Sequence, residues 1–309
     1  MAERPGETLI VTAPATSANL GPGFDVLALA LDLSNVVRIT PRPGPLAVSI
    51  EGEGAGDLPA DASNLFCRAL ESGIGPLEDL EIVCTNRVPL GRGLGSSSTA
   101  VCAGLVAANA IGGLRWTPDD LLQRATRFEG HADNAAACLS GGLVAVAPGP
   151  RAMPVQVPED LGFILVIPDG QVSTSDARGA LPREVPLEDA AATLCHGIGL
   201  VMALTESRLE DLPDLLEDRL HEPYRGRAMP GLADLRSLTG SDGCLGVTIS
   251  GSGPAALVWC RRDAAPPLSG RIEELLSAGT RARISQLAPT GVRARWAGNE
   301  STKLERAIG

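Results

Sequence analysis

Between Pro89 and Ser98 the chain reads Pro-Leu-Gly-Arg-Gly-Leu-Gly-Ser-Ser-Ser, and no other segment constrains the fold as tightly. The run before it, Leu80–Thr85, is rich in Leu, Ile and Val and reads as a strand. The run after it, Ser96–Ile111, is full of Ala and Gly and reads as a close-packing helix. Glycines at 91, 93 and 95 enter positive φ freely and let another backbone or a ligand come close. A helix N-terminus offers unpaired N–H groups and the positive dipole end, which suit phosphate. Serine hydroxyls beside it are oxygen donors of the kind Mg²⁺ accepts together with phosphate oxygens. A flexible turn with a serine N-cap explains part of the pattern, but three alternating glycines and three serines exceed a turn's needs. The segment predicts a phosphate-binding loop at a strand-to-helix junction.

What kind of phosphate loop this is follows from one count. Lys and Arg together number 26, and only Lys303 is lysine. A Walker A loop needs Lys beside its glycines, a protein kinase needs a strand Lys, and a PLP enzyme needs a Schiff-base Lys. All three are excluded. The motif is also a poor Rossmann fingerprint, which follows the first strand and spaces its third Gly differently. A net charge of −11 argues against non-specific binding to nucleic acid or an anionic membrane. The longest apolar stretch, Ala100–Leu114, is broken by Asn109 and falls short of the ~20 residues of a bilayer span. Glu3 and Glu7 spoil a secretory-signal reading. Seven cysteines, widely spaced and without a C-x-x-C, exclude a zinc ribbon or disulfide framework and predict a reducing, cytoplasmic setting.

At 309 residues the chain has room for two domains of roughly 150 residues each. Further strands are expected at Leu9–Ala13, Val36–Thr40 and Leu46–Ile50, with a helix over Ser63–Ser72. Thr117-Pro-Asp-Asp120 is a strong helix start, with Thr as N-cap, Pro at N1 and acids in the first turn, and that helix should reach Phe128. A short helix follows at Asn134–Leu139. The stretch Ala147–Pro158, with four prolines and a glycine, predicts a domain boundary, dividing the chain into 1–152 and 153–309. Beyond it lie a strand at Phe163–Ile167, a long helical region over Leu187–Leu220 and a helix near Gly231–Leu238. Strands at Leu245–Ser250 and Ala255–Cys260, a helix at Arg271–Ala278 and closing strands near Arg281–Ala288 and Val292–Trp296 complete the pattern. Strands and helices without a regular βαβ rhythm predict two α+β domains.

Three more segments are unusually polar or glycine-rich. Ala13-Pro-Ala-Thr-Ser-Ala-Asn-Leu-Gly-Pro-Gly-Phe-Asp25 follows the first strand, where Gly-Pro-Gly alone is a turn and Asn19 or Asp25 could be local caps. Ser250-Gly-Ser-Gly-Pro254 fits a tight hairpin connection. Glu129-Gly-His-Ala-Asp-Asn134 could end one helix at Gly130 and cap the next with Asp133 or Asn134. Hemmed in by apolar helices, its five polar or glycine residues also suit a site. Taken together, the segments resemble the GHMP kinase superfamily, and its homoserine kinase branch best. Thr16–Asp25 is similar to the branch's first motif, Gly93–Ser97 to the superfamily's phosphate loop, and Ser250–Pro254 to its third motif. Glu129–Asn134 resembles the branch's E-G-H-P-D-N signature, with Ala132 at the Pro position. Thr174-Ser-Asp-Ala-Arg178, Leu181-Pro182 and His221-Glu-Pro-Tyr-Arg225 resemble further branch segments.

The resemblance implies a two-domain α+β fold, with a ribosomal-protein S5 domain 2-like N-terminal half and a ferredoxin-like C-terminal half. It implies ATP-dependent phosphorylation of the L-homoserine hydroxyl, a step toward threonine, and leaves room for a homodimer. Pro89, Leu90, Gly91, Arg92, Gly93, Leu94, Gly95, Ser96, Ser97 and Ser98 would cradle the ATP phosphates, and Ser97 and Glu129 would hold Mg²⁺. Asn64 would lie near the adenine, and Asn19, Asp25, His131, Asp133, Asn134, Arg178 and Arg225 would face homoserine, with Asp133 and Asn19 at the chemistry. Physical chemistry supports such anchors, because a guanidinium fork pairs a carboxylate through two parallel hydrogen bonds. Asp25 can pair the ammonium. His131 is open between a substrate contact and a helix-start hydrogen bonder, and His196 is expected to be structural. Asp133 is open between general base and positioning group. The competing readings are a GHMP kinase for another small alcohol, such as mevalonate or a sugar, and a silent nucleotide sensor on the same fold.

Overall fold

A computed structural model describes residues 6–276 and 279–297. Lys303, Glu3 and the last two residues of the helix expected at Arg271–Ala278 lie outside the described residues. In chain order the first half contains β1 (Thr8–Ala18), β2 (Leu27–Pro45), β3 (Ala47–Gly52), α1 (Leu65–Ile74), β4 (Glu78–Asn86), α2 (Ser96–Gly112), α3 (Pro118–Glu129), α4 (Asp133–Ser140), β5 (Leu143–Ala147) and β6 (Arg151–Val155). The second contains β7 (Leu161–Pro168), α5 (Thr174–Gly179), α6 (Leu187–Thr205), α7 (Leu212–Leu215), α8 (Glu222–Arg225), α9 (Leu232–Arg236), β8 (Cys244–Ile249), β9 (Ala256–Arg261), α10 (Ala265–Leu275), β10 (Thr280–Ser285) and β11 (Arg293–Ala297).

Two sheets organise these elements. The first runs β11-β1-β2-β4-β3, and the long β2 also pairs through Leu27–Leu29 with β5, which carries β6. All its pairings are antiparallel except β3 with β4. The second is antiparallel in the order β10-β7-β9-β8, the 4-1-3-2 arrangement of a ferredoxin-like half. Helices α1–α4 cover the outer face of the first sheet through Phe66, Leu70, Val101, Leu105 and Leu122. A second core joins the halves, with Leu20, Leu29 and Leu31 against Phe163, Leu165 and Trp259. The outer face of the second sheet is closed by Leu232, Leu235, Leu268 and Ile272. Large apolar burial on both faces of each sheet stabilises this layered stack at about 25 cal/mol per Å².

Several expectations shift on contact with the fold. The proline-rich stretch 147–158 carries a hairpin of the first sheet, in which Val144 pairs with Pro154 and Ala145 with Met153. Pro154 is tolerated because β6 pairs only with β5, and an edge strand can lack a ladder N–H. The 152/153 division thus falls inside β6. The last described strand, β11, crosses back to pair with β1. The long helical region expected over 187–220 is interrupted after Thr205, where Ser207 takes a φ of 59°, and resumes in α7 with Pro213 in its first turn. Helix α10 begins at Ala265, six residues before its expected start, since Pro266 and Pro267 fit the first turn of a helix. Helix α3 starts as expected, on a reciprocal capping box between Thr117 and Asp120. Helix α6 is long and apolar enough to cross a membrane by length and composition alone. In this fold its Leu200, Ala203 and Leu204 are buried in the shared core, while Leu194, Ile198 and Met202 face outward.

Asn35 fixes the entry to the glycine-rich loop. Its Nδ2 donates to Thr99 Oγ1 on α2 at 2.9 Å, and its Oδ1 accepts the Arg87 and Val88 N–H groups at 2.8 and 2.9 Å. Asn35→Ala orphans donors that the fold buries, each costing about 1–3 kcal/mol. The expected loss is about 2–4 kcal/mol in urea unfolding; an unchanged midpoint would show that water replaces Asn35.

Candidate active site

Four of the marked segments meet in one cleft. The loop 89–98 enters α2 through Gly95, which takes the N-cap position at φ 67°, so the serines form the first turn instead of capping it. First-turn N–H groups have no partner inside a helix, and they point out of this end of α2. Ser97 Oγ donates to Glu129 Oε1 at 2.6 Å and Ser98 Oγ to Glu129 Oε2 at 2.7 Å, so one carboxylate faces two hydroxyls at the helix start.

The 16–25 segment closes the opposite wall. Asn19, Leu20 and Asp25 hold φ of 70°, 51° and 57°, a strained set for residues with side chains. The strain is held by bonds: Asn19 Oδ1 accepts the Asp25 N–H at 3.0 Å, and Asn19 Nδ2 donates to Gly251 O at 2.7 Å. Arg225 donates to the same carbonyl at 3.0 Å. Arg178 forks onto Asp25 with bonds of 3.1 and 2.8 Å. Phe24 lies under both guanidiniums and stacks on His221 at 5.2 Å between centroids. Next to these, His131 Nδ1 and the Asn134 N–H both reach Asp133 Oδ1, at 3.0 and 2.7 Å.

The resulting cavity, about 130 Å³, is lined by the loop residues other than Leu90 together with Asn19, Asp25, Glu129, Asp133, Arg178 and Arg225. A larger, more apolar cavity of about 470 Å³ adjoins it across Gly91, Ser96 and Ser97, walled by Val37, Leu58, Phe66 and Leu90 with Asn64 at its edge.

Comparison with known proteins decides what this cleft belongs to. Residues 57–142 match the model of the GHMP kinases N terminal domain and residues 200–278 that of the GHMP kinases C terminal domain. A homoserine kinase of Streptomyces coelicolor is 44% identical over 265 residues, covering 82% of this chain and 85% of the relative. One from Moorella thermoacetica is 36% identical, covering 91% and 97%. The crystal structure of homoserine kinase from Cytophaga hutchinsonii superposes with a TM-score of 0.83 at 32% identity, covering 93% of this chain and 97% of that one. The chain belongs to the GHMP kinases, on their homoserine kinase branch.

In this GHMP kinase the expected site residues largely converge, with instructive exceptions. Arg92 lines the cavity, and its guanidinium also donates to the carbonyls of Leu90, Pro168 and Asp169, which ties the loop to the end of β7. Asn64 caps α1 by accepting the Phe66 N–H, and so borders the apolar cavity with its amide engaged. Asn134 accepts a 2.6 Å bond from Thr16 Oγ1. His131 is part-buried, and its hydrogen bond to Asp133 outweighs burial and holds its pKa above the ordinary 6.5, favouring imidazolium. Asp133 itself is 3% exposed. Arg225 is buried; desolvation and then the neighbouring Arg178 pull its pKa below the usual guanidinium value. His196 is on the surface, bonded to the Glu217 carbonyl. Sequence reasoning passed over Thr16, Phe24, His221 and Glu222, although all four stand inside the quoted motifs. Ser97, Ser98 and Glu129 could hold a hard cation, and the described residues include no cluster of three or more His, Cys, Asp or Glu suited to a metal.

The positive φ and close backbone approach expected at the glycines are both present, at φ 75° for Gly93 and 67° for Gly95. A Cβ on Gly93 would run into the Ser250 carbonyl, and one on Gly95 into Thr16 Oγ1, with the positive φ adding strain at both. Gly95→Ala therefore displaces Thr16 and the Asn134 bond as well as the loop. The expected outcome is a sharp fall in turnover together with a lower melting temperature; wild-type kinetics would mean that the loop is only a turn.

Proposed function

We propose that this kinase transfers the γ-phosphoryl group of ATP to the side-chain hydroxyl of L-homoserine, a step toward threonine in the cytoplasm. One observation carries the reading: a helix N-terminus with a carboxylate–hydroxyl cluster opens into the same cavity as Asp25, Asp133, Arg178 and Arg225. An α-amino acid with a terminal hydroxyl matches that set in charge. Its carboxylate suits the guanidinium forks and its ammonium suits Asp25, replacing the Asp25–Arg178 contact with one partner for each.

The apolar cavity beside Asn64 takes the adenine, and the loop N–H groups and α2 dipole meet the phosphates. Ser97, Ser98 and Glu129 are hard oxygen donors with only one carboxylate among them, which fits an ion completed by phosphate oxygens and water, as Mg²⁺ prefers. Bound there with ATP, Mg²⁺ supplies charge neutralisation for phosphoryl transfer. Ser97 and Glu129 hold that position, while Asn19 braces the acceptor wall through two backbone bonds. Asp133 receives the acceptor hydroxyl; His131 and the Asn134 N–H fix its carboxylate through Oδ1.

The test is ADP release with L-homoserine, L-threonine, L-serine, mevalonate and galactose as acceptors. Homoserine is expected to be turned over best. Turnover of mevalonate or galactose but not homoserine would move the protein to another GHMP activity, and ATP binding without any turnover would make it a sensor.

Asp133 acts as a positioning group in this reading, because a loose phosphoryl-transfer transition state needs little early proton removal. Asn can orient the hydroxyl but cannot take its proton. Asp133→Asn is expected to keep kcat within about a hundred-fold of wild type, whereas a drop of ~10⁴ with homoserine binding intact would make Asp133 a general base.

A further inference from the structure

Glu222 is 3% exposed and takes no part in the chemistry proposed above. A buried carboxylate is costly unless its oxygens are paired. Its Oε1 accepts the Ile249 N–H at 2.6 Å, and its Oε2 pairs with Arg236 on α9. Ile249 ends β8, an edge strand of the second sheet, so without Glu222 this buried donor would be orphaned. Two residues further on, the Gly251 carbonyl accepts Arg225. Glu222 and Arg225 are the first and last residues of the four-residue α8. One short helix thus grips both ends of Ile249-Ser250-Gly251, by carboxylate on an N–H and by guanidinium on a C=O. Helix α8 is itself tied down, since Asp218 Oδ2 accepts the His221 and Glu222 N–H groups at 2.8 Å each.

We propose that Glu222 is a positioning residue for the acceptor side of the reaction: its ionised carboxylate sets the distance between α8 and the β8 end, and so aims Arg225. This rests on the homoserine reading above. The phosphate side is less dependent on Glu222, because Ser250 holds Gly93 O through its own hydroxyl at 2.8 Å. The charge state of the clamp is exposed to pH. Burial pushes the Glu222 carboxyl up to about 7, against the opposing pull of Arg236. Arg236 on α9, Asp218 in the preceding turn, and His221 and Arg225 beside it in the chain are the ionisable groups around it, and β8 contributes the Ile249 N–H. As pH falls through that region Glu222 takes up a proton, the Arg236 pair is lost and Arg225 loosens. His221 does not mimic this, since burial lowers its pKa below 6.5.

Glu222→Gln keeps size and an acceptor for Ile249 but removes the charge. The expected result is a homoserine KM raised roughly ten-fold or more with the ATP KM within about two-fold, and loss of the acid limb near neutrality in kcat/KM for homoserine. Unchanged homoserine kinetics with the acid limb intact, or equal rises in both KM values, would overturn the proposal. If Glu222→Gln does not fold, Arg236→Gln at the half-exposed partner decides. Without the cation the acid limb should move to higher pH by about half a unit or more, and an unmoved limb overturns the proposal. A wild-type protein that fails to phosphorylate homoserine sinks the functional reading and this inference together; wild-type turnover with indifferent variants sinks this inference alone.

Discussion

The backbone of Ser250–Gly253 lies directly against the backbone of the glycine-rich loop, and the rest of the site depends on that contact. Ser250 Oγ donates to Gly93 O, and the Gly251 N–H donates to Ala18 O. The Ala255 N–H reaches Arg92 O, and Gly251 O accepts both Asn19 and Arg225. Four separate chain segments therefore share one small set of main-chain groups. Each bond contributes only about 1 kcal/mol net, but a buried group left unpaired costs more, so each contact at the junction is costly to lose. Side chains at Gly93 or Gly251 would prise it open, because their Cβ atoms would meet the opposing backbone.

From this junction follows the division of labour between the two sheets. The first sheet and α2 present unpaired N–H groups and the Ser–Glu129 cluster, the features that a polyphosphate and its cation require. The second sheet supplies the Ser250–Pro254 connection, onto which α8 brings Arg225. Helix α5, in the connection after β7, brings Arg178 to Asp25. The shared core of Leu20, Leu29, Phe163 and Trp259 holds the halves in register. Phosphoryl transfer needs little covalent help from protein groups, so a site built mainly from rigid backbone is suited to it.

The electrostatics run against the chain's overall character. A protein of net charge −11 gathers Arg178 and Arg225 around one cavity, and sets Asp25, Asp133 and Glu129 there with them. Arg225 is desolvated and Arg178 is engaged with Asp25, so neither is a freely solvated surface cation. A buried charge such as Arg225 is tolerated when its donors have partners, while the half-exposed Arg178–Asp25 pair is selective because a ligand must replace the contact it displaces. Phe24 adds an aromatic face beneath both guanidiniums, which helps to hold them side by side despite their like charge.

Much of this was legible locally. The Leu80–Thr85 strand, the Ala-rich α2 and the Thr117 cap depend on spacing, propensity and a nearby partner, all of which a linear sequence contains. The segments at 89–98 and 129–134 could be marked as sites by composition, those at 16–25 and 250–254 only by their resemblance to family motifs, and the fold brings all four into contact. What the sequence could not determine is which group each one meets. Gly95 reads as a position of positive φ and close approach, but that the atom excluding a Cβ there is Thr16 Oγ1, from β1, is not in the sequence. Arg92 reads as part of the phosphate loop, but that its guanidinium donates to the carbonyls of Pro168 and Asp169 could not be read from the sequence. The prolines of 147–158 read as a domain boundary, and the strand β6 within them stays hidden because the edge position that tolerates Pro154 exists only once the sheet has formed. Glu222 looks like any surface acid until β8 lays Ile249 against it. Sequence determined the local backbone and the chemical inventory, which are properties of near neighbours in the chain. Tertiary structure alone decided the partners, because burial and hydrogen bonding join residues that only the folded backbone makes adjacent.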